Sequence, residues 1–331
     1  HMNLGGIYND LGNIGKAINA CQTGLILEPS NAELQSMLNY LRSKSMPQWH
    51  IKMMNDKHRN ECFKQAIQKL VKPDDLILDI GTGSGLLAMY SRDAGSQQVV
   101  ACEQNHLIAE AAKKIIKDNS MNDYITVINS NSKDIKVGKE LPRKADLIVS
   151  EIFSSEMVGE GILETFLDSR NRLLAEDGHV IPESSEIKIA LISSSAKIEE
   201  VSNPGWCNQY NMKSFEELRP TKLNMDLYGD AILLSEEKTV FEFNFKNIQS
   251  CHRQEEVIAM EAISFGNCVG IVQWFKATLC EGVFYENTPG KIKSHWNNNI
   301  YLFDNSINVS PGAEIKIKAT MNKDFLWFQE L

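Results

Sequence analysis

The chain of 331 residues has no run near the roughly 18 uninterrupted apolar residues that a membrane helix needs, so no membrane span is expected. No secretory leader is expected: none opens this sequence, and His1-Met2 reads as a remnant of recombinant expression and is set aside. A motif begins directly after it, so we expect the natural chain to extend further toward its N-terminus. Paired cysteines are missing too. Cys21, Cys62, Cys102, Cys207, Cys251, Cys268 and Cys280 are scattered, odd in number and never spaced as C-x-x-C. That excludes a zinc-ribbon pattern and a disulfide framework, and no metal site is expected. Idle thiols fit a reducing compartment, cytoplasmic or nuclear. Positive charge is in deficit, with 34 Lys and Arg against 43 Asp and Glu and a net charge of −9. An acidic surface repels phosphates and attracts cations, which disfavours nucleic acid and favours a basic polypeptide as partner. The hydrophobic share of 43% is that of a globular protein with a full core, and the length suits about two domains.

Residues 3–38 read as two short amphipathic helices around a turn. Leu4, Gly5, Tyr8, Leu11, Gly12, Ala17, Ala20, Gly24, Leu25, Leu27 and Pro29 have the spacing of one tetratricopeptide repeat. Small residues fall where paired helices approach, and Pro29 closes the second helix. One repeat cannot bury both its faces, so it implies docking or a protein partner. A single helix is expected from about Trp49 to Val71, stopped by Lys72-Pro73.

Strands and helices then alternate. Strands are expected at 76–81, 98–103, 125–129, 146–151 and 179–181, and helices at about 85–93, 105–119 and 161–174. This order means an α/β unit, a parallel sheet with helices on both faces. Beyond Pro182 the pattern changes to alternating apolar and polar residues at 186–192, 239–245, 270–279, 299–304 and 314–319, which suggests an antiparallel sandwich or barrel. An insertion at 203–229 is expected to be helical. We therefore divide the chain into a helical repeat at 3–45, an α/β domain at 46–182 and a β-barrel domain at 183–331.

Leu76-Ile77-Leu78-Asp79-Ile80-Gly81-Thr82-Gly83-Ser84-Gly85 carries the first chemical signal. A buried strand ends in a glycine turn that lets backbone approach a ligand. Dinucleotide enzymes favour G-x-G-x-x-G, whereas Asp79 followed by Gly81, Gly83 and Gly85 resembles the class I S-adenosylmethionine methyltransferases. The next strand ends in Glu103, a carboxylate placed to accept from both ribose hydroxyls. Ser132-Lys133-Asp134 falls where methyltransferases bind adenine.

Ser150-Glu151-Ile152-Phe153-Ser154-Ser155-Glu156-Met157-Val158-Gly159-Glu160 follows the fourth strand. Glu151 and Glu160, nine residues apart, resemble the double-glutamate hairpin of the protein arginine methyltransferases. The chemistry explains such a pair. A guanidinium is planar and forked and matches carboxylates bidentately, but its delocalised lone pairs make it a poor nucleophile. Two carboxylates can hold it and draw charge from the nitrogen to be methylated. Trp49-His50-Ile51-Lys52-Met53-Met54-Asn55-Asp56-Lys57-His58-Arg59-Asn60 is similar to the cofactor-covering helix of that family, in the form typified by its seventh and ninth human members. Ser294-His295-Trp296 corresponds to the family's Thr-His-Trp loop.

The resemblance implies a class I methyltransferase sheet followed by a β-barrel, with S-adenosylmethionine as cofactor. It implies Arg59, Asp79, Gly81, Gly83, Gly85, Glu103, Ser132, Lys133 and Met53 around the cofactor. It gives Glu151 and Glu160 as the acceptor's carboxylates with Trp296 beside them, and His295 paired with Asp56. A glutamate is common in the family nearest Lys133, so adenine recognition here would fall to backbone groups. Residues 203–229 stand where the family has a dimerisation arm, which implies a homodimer acting on arginine-containing, Arg-Gly-rich proteins. Three other readings stand beside this: a methyltransferase for a small molecule or RNA, an NAD-dependent oxidoreductase, and a non-catalytic scaffold.

Overall fold

The computed structural model describes residues 1–45 and 49–331. The boundary expected at residue 46 falls in 46–48, outside the described residues. Three helices, not two, open the chain: α1 (Met2–Asp10), α2 (Ile14–Leu27) and α3 (Ala32–Ser45). Asn31 starts the third by accepting the Leu34 N–H at 2.9 Å, an N-cap that offsets an otherwise unpaired donor. Small residues set the closeness of packing. A Cβ on Gly5 would sit 3.0 Å from Cys21 Sγ, and one on Gly24 would sit 2.7 Å from Leu34 Cδ1. The apolar seam of Ala17, Ile18, Cys21, Leu34, Leu38 and Leu41 also takes in Leu107, so the helices dock on the α/β unit.

The long helix expected from Trp49 to Val71 is two helices, α4 (Trp49–Met54) and α5 (Lys57–Leu70). The break has a local cause. Asp56 leaves helical geometry (φ −76°, ψ 90°) and caps α5 through the Arg59 N–H. Then come β1 (Leu76–Ile80), α6 (Leu86–Asp93), β2 (Gln98–Glu103), α7 (His106–Asp118), β3 (Ile125–Asn129), β4 (Ala145–Ser150), α8 (Ile162–Arg172) and β5 (Leu174–Ile181). The five strands form a parallel sheet in the order β3-β2-β1-β4-β5. β1 is buried at every residue, as a strand covered on both faces must be. Such sheets bind ligands beyond the carboxyl ends of their central strands.

The remainder is antiparallel: β6 (Ser184–Ser193), then α9 (Ala196–Ser202), β7 (Trp206–Cys207), β8 (Tyr210–Asn211), β9 (Lys222–Met225), β10 (Lys238–Asn244), β11 (Gln254–Glu261), β12 (Gly266–Cys280), β13 (Val283–Glu286), β14 (Asn298–Val309), β15 (Glu314–Asn322) and β16 (Phe325–Glu330). One sheet runs β10-β6-β12-β14-β9, with β13 on β12, and a second runs β11-β15-β16. The insertion at 203–229 is not the helical arm expected. It holds the short β7–β8 ribbon, one 3₁₀ turn at Lys213–Leu218 and the strand β9. Pro204, Gly205 and Asn208, the latter two at φ +53°, break any helix there. One large apolar core joins the sheets, from Leu76 and Leu78 through Phe153 and Phe166 to Phe275, Tyr301 and Phe328.

Candidate active site

β1 and β4 pair in parallel with Ile80 opposite Ser150, so Gly81 and Glu151 leave the same end of the sheet side by side. β2 flanks β1 on the other side with Cys102 opposite Ile80, which places Glu103 there too. These three strand ends floor a cavity of about 920 Å³. Its roof is α4 and the start of α5, and its far wall is the 294–297 loop of the barrel. Met53, Arg59, Gly81, Gly83, Glu103, Ser132, Lys133, Glu151, Glu160, His295 and Trp296 all line it.

The three glycines have three different reasons. All have positive φ: 72° at Gly81, 55° at Gly83 and 85° at Gly85. A Cβ on Gly81 would lie 2.5 Å from Ile152 Cγ2, and one on Gly85 would press on Ile116 at 3.1 Å. Only Gly83 opens on space, its nearest neighbour a backbone oxygen at 4.0 Å. Gly85 and Asp79 lie outside the cavity lining. Asp79 is fully buried behind the turn, and its carboxylate accepts from the Thr82 hydroxyl at 2.5 Å. Burial pushes it up to about 7, against the pull of Thr82 and the Ala88 backbone. Its part is to hold the turn.

Glu103 is fixed by two backbone donors, Gly83 N–H at 3.2 Å and Asn105 N–H at 2.8 Å. Asn105 in turn caps α7 and reaches the Ser45 carbonyl at 3.2 Å. Arg59 is 2% exposed. Its Nη2 pairs with Glu151, its Nη1 donates to Asn60 at 2.9 Å, and its guanidinium lies 5.0 Å over Phe63. Arg59 Nε is buried with no partner among the described residues, so a donor is left for an incoming acceptor. An unpaired arginine donor, a glycine turn open to space and a carboxylate at the second strand end together fit S-adenosylmethionine: its carboxylate, its backbone-hugging chain and its ribose.

Glu151 and Glu160 both reach the cavity, but in different states. Glu151 is committed to Arg59, with its side chain 5% exposed. Glu160 is an exposed residue of the cavity lining, though enough protein lies around its carboxyl to disfavour the charge. Burial first, then the Glu151 and Glu103 charges, push it up to about 7. Asp56 Oδ2 lies 2.9 Å from His295 Nδ1 and accepts the His295 N–H at 3.1 Å. Burial works to raise the Asp56 carboxyl, but the His295 and Arg59 bonds outweigh it and hold it below the ordinary value. Trp296 is mostly core, 6% exposed, with only part of it reaching the cavity. It donates to the Phe153 carbonyl at 2.9 Å and stacks on the Phe153 ring. Lys133 pairs with Glu164 at 3.2 Å, so its ammonium is engaged beside the pocket. Among the described residues no cluster of metal-ligating groups occurs.

Several lining residues were not legible from sequence: Lys44, Trp49, Asn224 and Asn297. Trp49 belongs to the quoted helix motif and could have been singled out. Asn224 comes from the insertion, where nothing in the sequence points inward.

Comparison with known proteins agrees with a methyltransferase fold. The family model described as "Ribosomal protein L11 methyltransferase (PrmA)" matches residues 60–214. The arginine N(omega)-methyltransferase of Streptomyces achromogenes is 30% identical over 83% of this chain and 76% of its own length. Protein arginine N-methyltransferase 9 of Mus musculus is 26% identical over 85% of this chain, and protein arginine N-methyltransferase 7 of Oryza sativa subsp. indica is 29% identical over 72%. The chain spans only 37% and 36% of those two relatives. Two solved structures share the fold. The Trypanosoma brucei PRMT1 enzyme-prozyme complex with AdoHcy has a TM-score of 0.74 at 22% identity, covering 86% of this chain and 93% of that one. Arabidopsis thaliana protein arginine methyltransferase 10 has 0.69 at 18%, covering 87% and 97%.

Proposed function

The chain belongs to the arginine N-methyltransferase family, and from that premise we propose that it methylates the guanidinium of arginine in basic protein substrates, using S-adenosylmethionine. One observation carries the reading: Glu151 and Glu160 converge on the same cavity as the glycine turn and Glu103. When bound, S-adenosylmethionine supplies an electrophilic methyl carbon on a cationic sulfur.

This chain's residues do the rest. Arg59 Nε and the Gly83 backbone would hold the amino-acid end, and Glu103 would hold the ribose. Glu151 and Glu160 grip the acceptor guanidinium through its N–H groups and fix one nitrogen for in-line attack. Drawing positive charge toward the carboxylates leaves electron density on that nitrogen. Methyl transfer from the bound cofactor to that nitrogen would leave it with a proton to shed. Glu160, with its raised proton affinity, would take it, and His295, held by Asp56 and lining the same cavity, would relay it. Met53 lines the roof of the same cavity.

The insertion exposes Trp206, Tyr210, Phe215 and Leu218. A cluster of large apolar side chains is a protein-binding surface, and we assign it to a homodimer. Light scattering of the cofactor-loaded protein should give twice the chain mass, and Trp206→Ala with Phe215→Ala should return a monomer. The N-terminal helices leave Ile7, Leu11, Ile26 and Leu27 exposed, a face suited to a protein partner.

A second reading, free arginine as acceptor, is favoured by the name of the Streptomyces relative. Labelled-methyl transfer decides between them. Label in Arg-Gly-rich peptide and none in its Lys-for-Arg version supports the protein substrate. Label in free arginine alone supports the second reading, and label only in RNA or in neither overturns both.

A further inference from the structure

Glu156 sits midway along the loop that carries Glu151 and Glu160, yet it does not line the cavity. It is 9% exposed and reaches β9 and β14 instead. There its Oε1 pairs with Lys222 Nζ and lies 3.0 Å from the Tyr301 hydroxyl, which is also 3.1 Å from the Leu326 carbonyl. Burial first, then the nearby Glu156 charge, push the Tyr301 phenol far above its usual range, so it stays a neutral donor. Lys222 and Tyr301 are direct cross-strand partners on β9 and β14.

Two residues further along β9, on the same face, stands Asn224, opposite Asn299. Strand alternation sends the intervening Leu223 and the following Met225 to the apolar cluster on the other side. Asn224 joins a directional chain of amides. Asn297 Nδ2 donates to Asn224 Oδ1 at 3.0 Å and Asn224 Nδ2 to Asn299 Oδ1 at 2.8 Å. Asn299 Nδ2 then donates to Gln273 Oε1 at 2.8 Å, and Gln273 Nε2 to the Ser155 carbonyl at 3.4 Å. Asn299 and Gln273 are 2% and 0% exposed. The chain ends on the residue next to Glu156.

β9 thus reaches the carboxylate loop twice, through Lys222 to Glu156 and through Asn224 to Ser155. The loop itself is stapled inside: Ser154 Oγ accepts the N–H groups of Glu156 at 3.2 Å and Gly159 at 2.9 Å. Met157 is held at φ +70°, a left-handed conformation that an L side chain keeps only when its surroundings impose it. A stapled loop moves as a body, so a pull at Glu156 displaces both Glu151 and Glu160.

We propose that Glu156, Lys222 and Tyr301, with the Asn224–Asn299–Gln273 amide chain, are positioning residues that set the placement of the two acceptor carboxylates, using the return strand of the 203–229 insertion as a strap. The inference rests on the proposed arginine acceptor. A carboxylate buried beside a lysine and a phenol is costly unless paired, and an equally apolar contact would fill that space. The ion pair fixes direction as well as proximity.

The test compares Glu156→Gln, Lys222→Met, Lys222→Arg and Tyr301→Phe with the wild type. It uses saturating S-adenosylmethionine and whichever arginine acceptor the wild type methylates. Lys222 is part-exposed, its side chain 31% accessible, so its variants keep the fold even if Glu156→Gln does not. Expected are a fall in kcat of about tenfold or more for Glu156→Gln and Lys222→Met, with cofactor affinity by calorimetry within about twofold of wild type. Lys222→Arg should recover most of the loss. Wild-type kcat in Lys222→Met overturns the proposal. So does a parallel loss of kcat, cofactor affinity and thermal stability in every variant, because that is a merely structural role. A wild type that methylates no arginine acceptor instead removes the functional reading itself, and that result appears before any variant is made.

Discussion

Replacing Asp56 by Ala should cost about 3 kcal/mol of folding stability, although Asp56 contributes little apolar surface. Its carboxylate makes three contacts. Oδ1 accepts the Arg59 N–H at 3.0 Å as the cap of α5, and losing such a cap costs about 1 kcal/mol. Oδ2 meets the His295 N–H at 3.1 Å and Nδ1 at 2.9 Å, and the side chains of Asp56 and His295 are each 4% exposed. Hydrogen bonds to a charged group contribute about 1.5–3 kcal/mol, and deleting the acceptor leaves buried donors unpaired. Cap and clasp together give about 3 kcal/mol, a large part of the roughly 5–15 kcal/mol that holds a typical protein folded. Asp56→Asn keeps an oxygen for the cap and should lose about half as much. Urea unfolding at neutral pH followed by tryptophan fluorescence measures both. The folded-state Asp56 value lies below the ordinary carboxylate value. Its contribution is therefore complete above that ordinary value and is lost as pH falls through the lowered one. The gap between wild type and Asp56→Ala should hold from pH 8 down to about 5 and narrow only below about 4. A loss under about 0.5 kcal/mol, the size of an ordinary surface change, would refute the clasp.

Gly83→Val should abolish cofactor binding in calorimetry, because its side chain would enter open cavity and a φ of +55° strains the turn for any L side chain; unchanged affinity would mean that the cofactor lies elsewhere. Glu160, pushed up to about 7, should release a proton when a cation arrives beside it. Near pH 7, S-adenosylmethionine binding in buffers of different ionisation heat should show this release, and Glu160→Gln or uncharged-sulfur S-adenosylhomocysteine should reduce it. The sign for stability follows from the raised value: what the Glu160 proton contributes is present at low pH and lost as pH rises through about 7. The ligand-free protein should lose stability between about pH 5 and 8, and Glu160→Gln should flatten that slope.

The parallel sheet was legible because its strands are short apolar runs closed by Pro, Gly or acidic residues, and its helices show a period near 3.6. The motif residues were legible where chemistry fixes spacing, as in the Gly81–Gly85 turn and the Glu151 to Glu160 loop. Other features depend on contacts distant in sequence. The kink at Asp56 was hidden because helical periodicity continues through it; its pairing with His295, 239 positions away, was expected from the family resemblance alone. The strands β9, β13 and β16 are short, and their pairing partners rather than their alternation define them. The inward reach of Lys222 and Asn224 is set by β14, so nothing local announces it. Gly85 and Asp79 show the converse: both belong to the motif, yet they support the turn from behind rather than face the cavity.

The central claim is that two convergent carboxylates activate a guanidinium, and turnover of Glu151→Gln tests it most directly. The substitution keeps size and removes one charge beside Arg59. Affinity for S-adenosylmethionine should stay within about threefold while methyl transfer to arginine falls by about 10²–10³, the scale set by removing one aligned electrostatic group. Transfer at the wild-type rate, with cofactor affinity unchanged, would contradict it.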